Sequence, residues 1–247
     1  MRVLDKKSEF DKIFKSLKES FLFSKVEDEI LKLIIKECEY IGWEKGENIP
    51  PDIGNKKCFF IVEGRMKITQ IDPKSGRSVA LFLLKNGDVF DIFTLLDGKE
   101  HTVFPVPIDN MKLLSISLER AREWLRMYPK FNETFLPYLG NMLRELESFS
   151  ESLIFHDTAT RLANLILRHT LKCKDENDGI YPVKLINNLS HESLAELIGS
   201  VRSVVTQQLK KLKEEEILIS KKGKMAIKNL EKLIKKCDLF GSIKDKK

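Results

Sequence analysis

The chain has 247 residues, with 43 Lys/Arg against 37 Asp/Glu, a hydrophobic fraction of 42% and 4 Cys. That apolar content can fill a core and excludes wholesale disorder. No run of about 18 uncharged apolar residues is present to span a membrane, and the opening MRVLDKKSEFDKIFKSLKES lacks the apolar centre of a secretory signal, so a cytoplasmic protein is expected.

Charge is unevenly placed. From Arg202 to Lys247 there are 14 Lys/Arg and 6 Asp/Glu, while the other 201 residues hold 29 and 31. The basic excess therefore sits in the last fifth of the chain, where it is either a solvated tail or a surface for a polyanion. Cys38, Cys58, Cys173 and Cys237 form no CxxC or other close pair, so no zinc or iron–sulfur framework is expected and the thiols are read as reduced.

Residues 5–40 are predicted helical. Phe10, Ile13, Phe14 and Leu17 share one face, as do Ile30, Leu33, Ile34 and Cys38. From Trp43 short apolar runs alternate with turn signals: GENIPPDIGN, CFFIVEG, RMKITQID, PKSG, RSVALFLLKNG and DVFDIFTLLDG. Arg65 to Ile71 alternates strictly, and the turns predict an antiparallel β-barrel or sandwich whose last strand is Lys112 to Ser117.

Ser117 is placed to N-cap the helix LERAREWLRMYP, which Pro129 ends. In the longer helix that follows, Leu136, Leu139, Leu143, Leu146 and Leu153 recur at spacings of three and four, with Ser150 the polar member of the seam. A seam that narrow, flanked by Arg144, Glu145, Glu147 and Glu151, fits pairing with an identical helix, and burial within its own domain is the alternative. Residues 157–172 are predicted as another helix, with Leu162, Leu165, Ile166 and Leu171 available for burial. The turn KCKDENDG and a short apolar stretch, Ile180 to Ile186, follow.

The most informative segment is LSHESLAELIGSVRSVVTQQLKKLKEEEILISKKGKMAI. Ser190 can cap a short helix, Gly199 breaks it, and a second helix is predicted from about Val201 to Lys213 with Val204, Val205, Leu209 and Leu212 inward. A helix-turn-helix needs a small residue where the helices cross, a turn residue that accepts positive φ, and an apolar residue that packs back; Ala195, Gly199 and Val205 stand at those offsets. Ile217 to Ser220 and Met225 to Ile227 then read as two strands around Lys221-Lys222-Gly223-Lys224, a basic wing.

On this reading the second helix enters the major groove of DNA. Arg202 can fork onto the O6 and N7 of a guanine and Gln207 suits the edge of an adenine, while Ser203 and Thr206 can meet a base or a phosphate. Ser190, His191, Lys210, Lys211, Lys221, Lys222 and Lys224 are candidate phosphate contacts, which position without specifying. The closing Lys244-Asp245-Lys246-Lys247 reads as plain tail.

Taken in order, the chain resembles the cyclic-AMP receptor / fumarate-nitrate regulator (Crp/Fnr) family of transcription factors over roughly residues 20–235. The residues carrying this are Phe59-Phe60-Ile61-Val62-Glu63-Gly64, Gly87-Asp88, Phe155-His156-Asp157, Arg161-Leu162-Ala163 and the helix-turn-helix segment. The resemblance implies an α+β chain: N-terminal helices and a double-stranded β-helix (jelly-roll) sensor over 1–118, a connector and dimerisation helix over 119–156, and a winged helix-turn-helix over 157–247. It also implies a homodimer on a palindromic operator of double-stranded DNA, RNA polymerase as a partner, and a small effector held between roll and long helix that favours the DNA-competent state.

Where nucleotide-binding members carry Gly-Glu and, about ten residues on, Arg-Ser or Arg-Thr, this chain has Asp91-Ile92 and either His101-Thr102 or no counterpart, and its long helix has Leu146 and Glu147 in place of hydroxyl residues. Without that glutamate and arginine, cAMP is not expected to bind. Asp91, Ile92, His101, Thr102 and Leu146 remain the candidate effector residues, and the effector itself stays unidentified. The chain also resembles the haem carbon-monoxide sensor branch but has Asp91 and Phe93 where that branch carries its cysteine and histidine ligands; haem stays open only through His101. His156 is expected to cap or orient the hinge after the long helix. Two rival readings stand beside the effector-controlled regulator: an effector-independent regulator with a vestigial roll, and a small-molecule enzyme, for which no Ser/His/Asp order, carboxylate pair, HExxH or phosphate-cradling loop appears.

Overall fold

The computed structural model describes residues 1–171, 173, 179–221 and 224–237. The chain divides into two compact units: Met1–Arg77 with Leu81–Glu145, and Ser78–Ala80 with Leu146–Lys247. In chain order the elements are β1 (Arg2–Val3), α1 (Phe10–Lys18), α2 (Asp28–Glu37), β2 (Glu39–Trp43), β3 (Lys57–Glu63), β4 (Met66–Ile71), β5 (Ser78–Leu84), β6 (Val89–Phe90), α3 (Ile92–Asp97), β7 (Phe104–Pro107), β8 (Met111–Ser117), α4 (Leu118–Met127) and α5 (Pro129–Phe155). Then follow α6 (Thr158–Arg168), β9 (Tyr181–Pro182), α7 (His191–Leu197), α8 (Arg202–Glu214), β10 (Leu218–Lys221), β11 (Lys224–Ile227) and α9 (Leu230–Lys236).

Two antiparallel sheets form the roll, ordered β1-β2-β8-β3-β6 and β5-β4-β7. Strand β3 lies between β8 and β6, and its run Cys58 to Val62 is buried throughout, which is why it reads as a continuous apolar stretch instead of an alternating one. Trp43 and Phe59 pack with ring centroids 5.2 Å apart, and Phe59 stacks on Phe90 at 6.0 Å. Against the sheet lies a helical layer: Ile13 and Leu17 of α1, Leu31, Ile34 and Ile35 of α2, Ala121 and Trp124 of α4, and Phe131, Phe135 and Tyr138 of α5 share one core with Phe60, Val62, Leu114 and Ile116. Glu37 ties this layer together by accepting from Arg120 Nε and Nη2 at 2.8 and 2.7 Å and from Trp124 Nε1 at 2.9 Å.

Several local expectations need correction. Residues 5–40 hold two separate helices, α1 and α2, and helix gives way to strand at Glu39 because β2 pairs along its length with β8. The buried stripe of α2 is Leu31, Ile34 and Ile35, so Leu33 is 41% exposed. The run DVFDIFTLLDG is a two-residue strand followed by α3, which Gly98 closes at a φ of +74°. Its Ile-Phe-Thr-Leu-Leu would suit either state, and only the β3 pairing of Val89-Phe90 fixes where strand stops. Phe104–Pro107 is a strand despite two prolines, because β7 lies at a sheet edge where a missing N–H costs little.

In the second unit α6 starts on an Asp157 cap, whose carboxylate accepts from Thr160 N at 2.8 Å. That backbone donor holds the Asp157 carboxyl below the usual carboxylate range. Leu162, Ala163 and Ile166 turn inward. A three-stranded sheet, β10-β11-β9, closes the unit, with Lys221 opposite Lys224 at the end of the β10–β11 register.

Candidate nucleic-acid interface

Ser190 caps α7 by accepting from Ser193 N at 3.0 Å. Ala195, 1% exposed, leaves room for the neighbouring helix, and Ser200 N donates to its carbonyl at 2.8 Å to close the turn. Gly199 holds φ at +61°, the left-handed conformation that disfavours any side chain. Val205, Leu209 and Leu212 bury the inner face of α8. The opposite face is polar and open: Arg202, Ser203, Thr206, Gln207, Lys210 and Lys211 are all exposed.

Those six candidates therefore share one helix surface, with His191 at its edge. His191 Nδ1 lies 2.8 Å from Thr206 Oγ1, which in turn donates to the Arg202 carbonyl at 2.9 Å. Lys210 is lightly engaged by Glu214 at 3.7 Å, an exposed pair one turn on. In the wing Lys224 is exposed, Lys222 lies outside the described residues, and Lys221 is placed by its backbone alone, at the end of β10. Behind this surface Lys228 pairs with Glu216 and Lys236 with Glu215, both at 2.7 Å, so part of the C-terminal basic excess is neutralised within the chain.

Sequence reasoning missed three supports. Asn187 accepts from Met225 N at 2.8 Å and donates to the Val183 carbonyl, which fixes the wing to the segment before α7. Asn229 caps α9 by accepting from Lys232 N at 2.9 Å, a signal legible in an Asn just before an apolar helical run. Arg161 reaches the Gly199 carbonyl at 3.5 Å, which no spacing rule marks.

On the long helix Leu136 and Leu143 are each 63% exposed and Leu153 is 41% exposed, whereas Leu139 packs on the core of its own unit and Leu146 is half-buried. The seam thus divides between an outward row and one inward anchor. Beyond it Ile154 and Phe155 are 72% and 74% exposed. His156 caps the helix end with its backbone N–H on the Ser152 carbonyl at 3.2 Å.

Of the candidate effector residues, Asp91, Ile92 and His101 gather in the first unit. Asp91 is 3% exposed, its Oδ1 lies 2.9 Å from His101 Nδ1, and its Oδ2 accepts from Thr94 Oγ1 at 3.0 Å. Ile92 belongs to the core, Thr102 is exposed, and Leu146 lies in the second unit. His101 is held further by its backbone N–H on Asn55 Oδ1 and by an edge contact with Phe93 at 5.1 Å. Cys38 and Cys58 are buried, and burial pushes both thiols up. Among the described residues no three His, Cys, Asp or Glu side chains converge as metal ligands, and no helix is long and apolar enough to cross a membrane.

Residues 160–236, which hold this interface, match the family model of the Crp-like helix-turn-helix domain. Over 180 residues the chain is 27% identical to the global nitrogen regulator of Synechocystis sp., covering 70% of this chain and 77% of that protein. Over 193 residues it is 23% identical to the CRP-like cAMP-activated global transcriptional regulator of Mycobacterium tuberculosis, covering 76% and 83%. The chain carries a Crp-like helix-turn-helix domain, and the proteins it is similar to are DNA-binding transcription regulators. These relatives are regulators and not enzymes, so the enzyme reading falls away. The chain also shares its fold with a CooA mutant from Carboxydothermus hydrogenoformans, at a TM-score of 0.71 and 20% identity over 95% of this chain and 97% of that one. FixK2 from Bradyrhizobium japonicum gives 0.68 at 17% identity, over 83% and 99%.

Proposed function

We propose that the chain is a transcription regulator, a cytoplasmic homodimer that reads a palindromic operator through α8. The observation that carries this is the two-sided build of α8, with Val205, Leu209 and Leu212 buried and Arg202, Ser203, Thr206 and Gln207 exposed together on the other side. In this reading Arg202 and Gln207 read bases. Ser203 and Thr206 meet bases or phosphate, and Ser190, His191, Lys210, Lys211, Lys221, Lys222 and Lys224 position the protein on the backbone. Residues 157–247 serve as the DNA-binding part and 119–156 as connector and pairing helix. Leu136, Leu143, Leu146 and Leu153 face the second copy and Leu139 anchors the helix to its own core. RNA polymerase is the further partner. Selection of duplexes from a randomised pool tests the reading: enrichment of two inverted half-sites about one helical turn apart supports it, and no enrichment overturns it.

The roll over 1–118 is the sensor in this proposal, and its effector is not cAMP. A buried acid at Asp91 is a poor neighbour for a phosphodiester, and among the described residues its side chain is bonded by His101 and Thr94 and by no arginine. One observation favours a second reading, an effector-independent regulator: Asp91 is already satisfied by His101 and Thr94. Purification from the native host, followed by an absorption spectrum and mass spectrometry of any bound molecule, separates the two. A bound haem or small molecule supports the sensor; an empty protein that binds the selected duplex supports the alternative.

A further inference from the structure

His191 and Thr206 form a hydrogen-bonded pair across the two helices of the DNA-reading motif, and the direction of each bond follows from counting hydrogens. Thr206 has one hydroxyl hydrogen, and its Oγ1 lies 2.9 Å from the Arg202 carbonyl, which can take it. With the hydrogen assigned there, the same oxygen, 2.8 Å from His191 Nδ1, accepts, and the matching tautomer carries its proton on Nδ1. The neutral ring is left with Nε2 as a bare acceptor, and Nε2 has no partner among the described residues. A bare acceptor cannot bind a phosphate oxygen. The imidazolium can, because Nε2–H then donates with a full positive charge behind it.

We infer that His191 grips a DNA phosphate only as the imidazolium, aimed by Thr206, and that operator binding is coupled to partial proton uptake at Nε2 in each half-site. This rests on the docking of α8 proposed above. No bond other than N–H forms, and solvent supplies the proton. The charged residues next to this pair in the fold are Glu192, which follows His191 on α7, and Arg202 and Lys210, one turn either side of Thr206 on the exposed face of α8. Lys210 is itself partly engaged by Glu214. A phosphate brought to this corner adds the negative charge that favours the charged ring, and an imidazole titrates in the range where small changes decide its state.

The test uses the full-length protein and a duplex enriched from the randomised pool. Wild type should gain roughly fivefold in affinity per half-site between about pH 8 and about pH 6, and its log–log salt slope should steepen by about 1 per half-site over that range. His191→Gln should bind with affinity and salt slope nearly flat in pH. Thr206→Val, which removes the acceptor and keeps the shape, should lose at least half of the pH response whatever it does to affinity. Calorimetry of wild type in two buffers of different ionisation enthalpy should show proton uptake that is absent in His191→Gln. A wild type without pH response, or a His191→Gln variant that keeps it, overturns the inference while leaving the docking intact. Failure of every variant to bind any duplex at either pH overturns both.

Discussion

Leu153 of the long helix seats a methyl group directly over Gly199 of the helix-turn-helix: a Cβ at Gly199 would stand 2.6 Å from Leu153 Cδ2. Gly199 is also the residue at φ +61° between α7 and α8, and its carbonyl receives Arg161. The last turn of α5 is thus a wall for the turn that sets how α8 is presented. Leu153 thus contacts its own chain with one methyl while 41% of it stays exposed, less than Leu136 or Leu143.

Gly199→Ala is therefore expected to destabilise the DNA-binding unit by about 1–2 kcal/mol, mostly from the left-handed backbone. Leu153→Ala should restore the steric part and not the backbone part, so a double-mutant cycle from urea unfolding should give a nonzero coupling. Strict additivity would mean that the Leu153 contact contributes nothing.

Two leucines of one heptad seam should behave differently. Leu143→Glu places a charge on a 63% exposed position and should yield a folded monomer at micromolar concentration by sedimentation, with unchanged circular dichroism. Leu139 packs on the core with Phe135 and Tyr138, so Leu139→Glu should lower the melting temperature instead. A Leu143→Glu variant that stays dimeric would remove the seam from the proposed interface.

The helical half was the more legible in sequence because its signals are local. Ser117 and Ser190 each cap the helix they precede, and Ala195, Gly199 and Val205 take their positions from spacing alone. The roll was legible as alternating strands, but Phe104–Pro107 depends on being an edge, and the Val89-Phe90 strand depends on pairing with Phe59-Phe60. Such facts live in the sheet and not in the segment. At the candidate sites residue type pointed to the recognition face. The turning inward of Asp91 onto His101 and the His191–Thr206 tie require two distant segments to meet, which no periodicity encodes.

Arg202 and Lys210 lie on the same face of α8 two turns apart and should separate specificity from affinity. Arg202→Ala is expected to cost about 1–3 kcal/mol on the selected duplex and to relax preference at one base pair of each half-site. Lys210→Ala should weaken all duplexes alike and reduce the salt slope by about 1 per half-site. Competition binding against single-base variants at two salt concentrations reads both. An Arg202→Ala variant that binds its duplex as tightly as wild type would show that the register of the reading helix is wrong.

Glu37 supplies a pH test of the sensor unit. Arg120, with Trp124 as a second donor, holds its carboxyl below the usual carboxylate range. A carboxyl lowered on folding contributes stability that is present above its unfolded value, near 4.3, and is lost as pH falls through the folded value. Glu37→Gln should accordingly be less stable than wild type at neutral pH, because the forked Arg120 contact at 2.7 and 2.8 Å loses its charge. The gap should narrow as pH drops from about 5 toward about 3, where wild-type Glu37 protonates as well. Urea midpoints across that range measure it, with Glu123→Gln as the control on the exposed second partner of Arg120. A gap that stays constant down to about pH 3 would place the effect of the substitution in packing and not in charge.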